Sequence, residues 1–175
     1  VCVLPGGRTG IYRLKVIVDG KGACEMKISD LFEYKIIITA VTPNVGSIYG
    51  GTLLTILGDN FSPNSGQNQV VLATNDGGIN CDLTFFNKTC LRCLTRPGPP
   101  DSIASVTVFG RLIETALCLD NISNCSFSYF LNATPNIQLL APTQIIFSED
   151  LLNVTGSLLD QMVISLNSIN CDILI

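Results

Sequence analysis

Histidine and tryptophan are absent from this 175-residue chain, methionine occurs twice, and charged residues make up only 14% of it. Without histidine the usual general base is missing, and with it the Ser-His and Cys-His arrangements of nucleophilic catalysis. Acidic residues are thinly spread, and the one adjacent pair, in "SED" at 148–150, reads as a solvated turn. "PGGRTG" at 5–10 and "DGG" at 76–78 lack the Gly-x-x-x-x-Gly-Lys-Ser/Thr layout of a phosphate loop and read as β-turns. Asp59, Asp82 and Asp101 offer oxygens for calcium at a domain junction, but nothing resembles an EF-hand loop. No catalytic residue, cofactor or metal site is assigned, and the chain reads as a non-enzyme.

Positive charge is equally sparse. Ten Lys and Arg face fourteen Asp and Glu, for a net charge of −4, and Arg8, Arg13, Arg92, Arg96 and Arg111 stand isolated. No basic stripe exists to follow a phosphate backbone, so nucleic acid is excluded as a partner. The mean hydropathy is +0.44, yet no apolar run approaches the roughly 18 residues of a membrane span. "YKIIITAV" at 34–41 has the length of a strand, and no membrane contact is expected from this segment. The opening "VCVLPGG" has neither an initiator methionine nor the regions of a signal peptide, and the chain is expected to be an interior piece of a longer protein.

What the chain does have is cysteine and sequons. Eight Cys is high for a reducing cytosol. Asn-x-Ser/Thr occurs at Asn60, Asn87, Asn121, Asn124, Asn132 and Asn153, none with proline in the middle. Together they favour an extracellular or cell-surface glycoprotein carrying N-glycans.

β-Branched residues and Gly, Pro, Asn and Ser punctuation leave no window of helical periodicity, so almost no helix is expected. "RLKVIVDGKGACEMKI" at 13–28 predicts a hairpin about Asp19-Gly20, whose residues supply positive φ. "SVTVFGRLIETALCL" at 105–119 predicts a second, about Phe109-Gly110. In "GGTLLTILGDNF" at 50–61, Gly50-Gly51 permits a tight turn, Leu54 and Ile56 share one face, Gly58 allows a further turn, and Phe61 returns to the core.

The chain also repeats itself. "INCDL" at 79–83 returns as "INCDI" at 169–173, about 90 residues on, which is the length of a small all-β domain. "FEY" at 32–34 matches "FSY" at 127–129, "AVTP" matches "LLAP", and "LLTILG" at 53–58 matches "LLNVTG" at 151–156. These registers predict the back half of one domain over 1–35, a complete domain over 36–133, and the front half of a third, divergent one over 134–175, with "KIIITA" and "LNATP" as linkers.

"GGTLLTILGDNF", followed in order by Cys81-x-Leu83, Cys93-x-Thr95-x-Pro97, a valine-rich hairpin, "FSY" and "TPNI", resembles the IPT/TIG domain family. These are the immunoglobulin-like β-sandwich modules of plexins, of hepatocyte-growth-factor-receptor-like kinases and of fibrocystin-like tandem arrays. The resemblance is weakest in the third unit, where "IIFSEDLL" lacks the glycine pair and "SLLD" replaces the Asn-Phe step. With the repeat, it implies disulfides Cys81–Cys93 and Cys118–Cys125. Cys2 and Cys171 are expected to pair beyond the fragment. Cys24 and Cys90 remain, with a bridge between adjacent domains as one reading. "CLRC" at 90–93 also fits a Cys-x-x-Cys redox or zinc motif, which the lack of histidine and of a second such pair disfavours. Asn60 is at once a sequon asparagine and the asparagine of the fold signature, so a side chain bonded to its own turn competes with a glycan.

The resemblance implies a spacer or filament of stacked domains serving adhesion or assembly, its partners being neighbouring domains and other surface proteins. A fibrocystin-like array implies a ciliary surface filament or coat. The alternative is the stalk of a receptor ectodomain positioning a ligand-binding module.

Overall fold

The computed structural model describes residues 10–24, 31–110, 115–119, 125–141, 153–159, 165–166 and 169–170. Four short N-terminal strands come first: β1 Gly10–Arg13, β2 Ile17–Val18, β3 Gly22–Ala23 and β4 Leu31–Tyr34. The central body follows as β5 Ile37–Thr42, β6 Val45–Gly46, β7 Leu53–Asp59, β8 Gln69–Thr74, β9 Gly77–Phe86, β10 Cys90–Leu94, β11 Ser102–Phe109, β12 Leu117–Cys118 and β13 Ser126–Tyr129. After a 3-10 turn at Leu131–Ala133 come β14 Asn136–Ala141, β15 Asn153–Ser157, β16 Ser165–Leu166 and β17 Ile169–Asn170. The chain is nearly all β.

The nine central strands form one curled sheet in the order β12-β5-β7-β10-β9-β8-β11-β13-β6. β9 makes the curl possible. Its first residues pair with β8, from Gly77↔Thr74 to Cys81↔Val70, and its last pair with β10, from Asp82↔Leu94 to Phe86↔Leu91. One strand therefore belongs to both layers, and the layers close face to face on a single core, as in an immunoglobulin-like sandwich. Because successive strand side chains alternate in direction, each strand gives every second residue to that core: Leu54 and Ile56, Val70 and Leu72, Leu91 and Cys93, Ala104, Val106 and Val108, Phe127 and Tyr129.

Several local expectations change on contact with the tertiary structure. β2 and β3 form the predicted hairpin, with Lys21 N–H donating to Val18 O at 3.1 Å. Only its glycines take positive φ, however, at 68° for Gly20 and 94° for Gly22, while Asp19 does not, so the turn is of type II. The second expected hairpin opens early. Ala116 N–H still bonds Val108 O, but β12 then crosses to lie parallel to β5, with Leu117 and Leu119 N–H donating to Ile36 O and Ile38 O. "KIIITA" at 35–40 is not a linker: Ile36 and Ile38 are buried, and from Ile37 onward the segment runs in β5, the first strand of the sandwich. Gly58 lies within β7 rather than in a turn.

Candidate functional site

The entry to β7 is held by a hydroxyl network. Ser47 N–H donates to Thr52 Oγ1, Tyr49 N–H to Ser47 Oγ, and Thr52 N–H to Thr95 Oγ1, at 3.1 to 3.2 Å. Gly50 turns through φ 78°, and a Cβ there would meet Thr95 O at 2.6 Å, so both the backbone angle and the space require glycine. The buried Thr95 thereby gives the Cys-x-Thr-x-Pro run a structural purpose. Beside this network, Thr134 Oγ1 accepts from Ile48 N–H at 3.1 Å and donates to Phe130 O at 3.0 Å. This fastens the chain leaving β13 to the loop after β6.

The end of β7 explains the rest of the signature. β5 bulges between Ile38 and Ala40, which brings Ile37 O against the α-carbon of Gly58 and leaves no room for a side chain. The following Asn60 adopts φ 64°, its Nδ2 donates to Lys35 O at 2.8 Å, and its N–H donates to Asp59 Oδ1 at 2.8 Å. Phe61 then enters the core.

The same construction recurs downstream. β14 and β15 pair antiparallel with a bulge between Ile137 and Leu139, Asn136 O lies against Gly156, and Leu158 two residues later has φ 57°. Bulge, glycine and left-handed residue fall in the same order as in β5–β7. Upstream, β1–β4 repeats the register of β11–β13, with Phe32 and Tyr34 standing where Phe127 and Tyr129 stand. Tyr12, Phe32 and Tyr34 form a ring cluster with centroids 5.3 to 5.9 Å apart, and Phe127 and Tyr129 meet edge-on at 5.0 Å.

Cys81 and Cys93 are joined by a disulfide, with Cα atoms 5.5 Å apart, within the core. Cys118 and Cys125 form a second, with Cα atoms 6.1 Å apart, which ties the β12 edge of one layer to the start of β13 in the other. Cys24 and Cys90 are free thiols, Cys24 exposed and Cys90 half-buried. Cys90 and Cys93, three apart on a strand, face opposite sides of the sheet. The "CLRC" pair therefore cannot act as a dithiol or a common metal site here. Cys2 and Cys171 lie outside the described residues.

Among the sequons, Asn121 and Asn124 also lie outside the described residues. Asn87 is exposed in the turn between β9 and β10; Asn132 sits in the 3-10 turn, its sequon threonine being the buried Thr134; Asn153 opens β15, exposed. Asn60 is the fastened residue described above.

Of the acidic residues considered for calcium, Asp82 has both oxygens on Arg96, with Nε and Nη2 donating at 2.7 to 3.1 Å. The Arg96 hydrogen bonds hold the Asp82 carboxyl below its ordinary range. Asp59 caps Asn60, and Asp101 has φ 52° in the turn before β11. Among the described residues no three His, Cys, Asp or Glu converge as metal ligands. Among the described residues Tyr129 is the most displaced titratable group: its hydroxyl donates to Arg96 O at 2.9 Å, and burial pushes its pKa up to about 12. That hydroxyl closes the seam between β13 and the strand-to-strand segment after β10, a task for structure and not for chemistry.

The family model of the IPT/TIG domain matches residues 37–129, just over half of the chain. The chain belongs to the IPT/TIG family. Its IPT/TIG relatives include Fibrocystin-L of Mus musculus, 32% identical over 117 residues, which is 65% of this chain and 2% of that protein. Fibrocystin-L of Homo sapiens is 30% identical over 95 residues, 53% of this chain and 2% of that protein. Fibrocystin of Canis lupus familiaris is 24% identical over 177 residues, 98% of this chain and 4% of that protein. The chain thus spans a few per cent of the length of these relatives. Among solved structures, the extracellular region of plexin A4 is 22% identical with a TM-score of 0.48, over 89% of this chain and 12% of that one. IPT/TIG is a non-catalytic domain type, and the buried threonines, the glycines and the left-handed asparagine of this chain all serve the sandwich itself.

Proposed function

We propose that this chain is a non-enzymatic structural segment of a large extracellular or cell-surface glycoprotein, in which IPT/TIG units follow one another as a spacer or filament for adhesion or assembly. The observation that carries this reading is the recurrence of the β5–β7 bulge, glycine and left-handed residue in β14–β15. A backbone device repeated in order implies a repeated unit. On this reading 1–35 is the closing half of one domain, 36–133 a complete domain, and 134–175 the opening half of a divergent third. Tandem units contact chiefly their neighbours, so the natural partners are adjacent IPT/TIG domains and other surface proteins. The relatedness to fibrocystins supports the cell-surface setting, and a ciliary filament or coat is the assembly that this resemblance implies. Among the described residues no helix is long and apolar enough to cross a membrane.

Disulfides persist in oxidising compartments, which makes the compartment directly measurable. Non-reducing peptide mapping of the protein from its native source is expected to yield Cys81 linked to Cys93 and Cys118 linked to Cys125. Free thiols at all four positions would place the protein in a reducing compartment and end the extracellular reading.

A further inference from the structure

We propose that Asn87 is an N-glycan acceptor and that the fold keeps Asn60 bare, although both lie in Asn-x-Ser/Thr sequons. The inference deepens the glycoprotein reading above and rests on it for its natural setting. The two sites differ in what the fold does with the carboxamide. At Asn87, Oδ1 accepts from Thr89 N–H at 2.8 Å, from Cys90 N–H at 2.7 Å and from the Thr89 hydroxyl at 3.3 Å. Backbone N–H groups can be met only by oxygen, so these contacts fix which corner of the amide is which. Oxygen is held in the turn. Nitrogen, which diverges from the same carbon, has no partner among the described residues, and the residue is exposed. A sugar on that nitrogen leaves every contact of the turn intact.

At Asn60 the opposite corner is committed. Nδ2 donates to Lys35 O at 2.8 Å, the backbone sits at φ 64°, and the middle residue of the sequon, Phe61, is in the core. A sugar on Nδ2 would have to occupy the seam where the chain enters β5. Folding and glycosylation compete for one nitrogen there.

The reaction needs a lipid-linked oligosaccharide diphosphate as co-substrate. Nδ2 attacks the anomeric carbon and forms a C–N bond while the C–O bond to the diphosphate breaks. The lipid diphosphate leaves with the bonding electron pair, and the proton lost from Nδ2 passes to solvent or to that leaving group.

The test is expression of the full chain behind a secretory leader in glycosylating eukaryotic cells, followed by release with a peptide-N-glycosidase, which hydrolyses the Asn side-chain amide to Asp, in heavy-oxygen water, and peptide mass spectrometry. The expected result is conversion of Asn87 to isotopically labelled aspartate in most molecules, with Asn60 unconverted. Asn87→Asp, which keeps the turn-capping oxygen but lacks the acceptor nitrogen, is expected to secrete normally and to lose one glycan of mass. An unmodified Asn87 in the wild-type chain, an unchanged glycan mass in Asn87→Asp, or a converted Asn60 would each overturn the proposal. Because the leader forces passage through the secretory pathway, these outcomes are separate from the native disulfide map: reduced native cysteines would end the extracellular reading while leaving the acceptor property of Asn87 intact.

Discussion

Replacing Phe127 with alanine is expected to destabilise the central domain by about 3–5 kcal/mol, the range for deleting a buried aromatic side chain. Phe127 has no solvent exposure and lies edge-on to Tyr129 at 5.0 Å. It also occupies the space a side chain at Gly46 would need, so it packs directly on β6, the last strand of the curled sheet. The cavity would be bounded by β-strand backbone, which relaxes little. Denaturant titration of the full chain reads the loss as a fall in midpoint. The control is Ile103→Ala on the neighbouring strand β11, where the side chain is 71% exposed; a change within about 0.5 kcal/mol is expected for such a surface position. Equal losses at the two positions would mean that the inward and outward faces are assigned wrongly.

The second large effect is covalent. Removing both sulfurs in Cys81→Ala/Cys93→Ala opens a loop of sequence separation 12 and is expected to cost about 3 kcal/mol through the regained freedom of the unfolded chain. Opening Cys118–Cys125, of separation 7, is expected to cost less, about 2 kcal/mol on the same chain-entropy argument. Cys90→Ala removes a thiol with no covalent partner and serves as the control, expected within about 0.5 kcal/mol of the parent. The same denaturation experiment distinguishes the three. A large loss in Cys90→Ala together with none in the double variant would reverse the roles given to these cysteines.

Much of the fold could be read from alternation alone. Leu54 and Ile56, or Val106 and Val108, declare an inward face because the side-chain period of a strand is two, and the structure buries all four. The missing part depended on contacts distant in sequence. Nothing local to Leu117 and Cys118 says that they leave β11 for β5; the decision is made by the carbonyls of Ile36 and Ile38. "KIIITA" looked like a connector because a strand buried on one side and a linker of apolar residues have the same composition. Gly58 looked like a turn residue because the carbonyl that forbids a side chain there belongs to Ile37, on another strand.

The candidate site divides in the same way. In sequence Asn60 offered a glycan or a side chain bonded to its own turn; in the structure its Nδ2 donates to Lys35 O, 25 residues back along the chain, a partner that neither reading named. Thr95 and Thr134 stood in the Cys-x-Thr-x-Pro and "TPNI" runs with no role given to their hydroxyls, because their partners, Thr52 and Ile48, lie 43 and 86 residues away.

The proposed array is tested most directly by electron microscopy of the intact parent protein from its native source. An extended particle of regularly repeated, similar-sized units is the result predicted by the recurrence of β5–β7 in β14–β15. A compact particle with no repeating unit along any axis would contradict it.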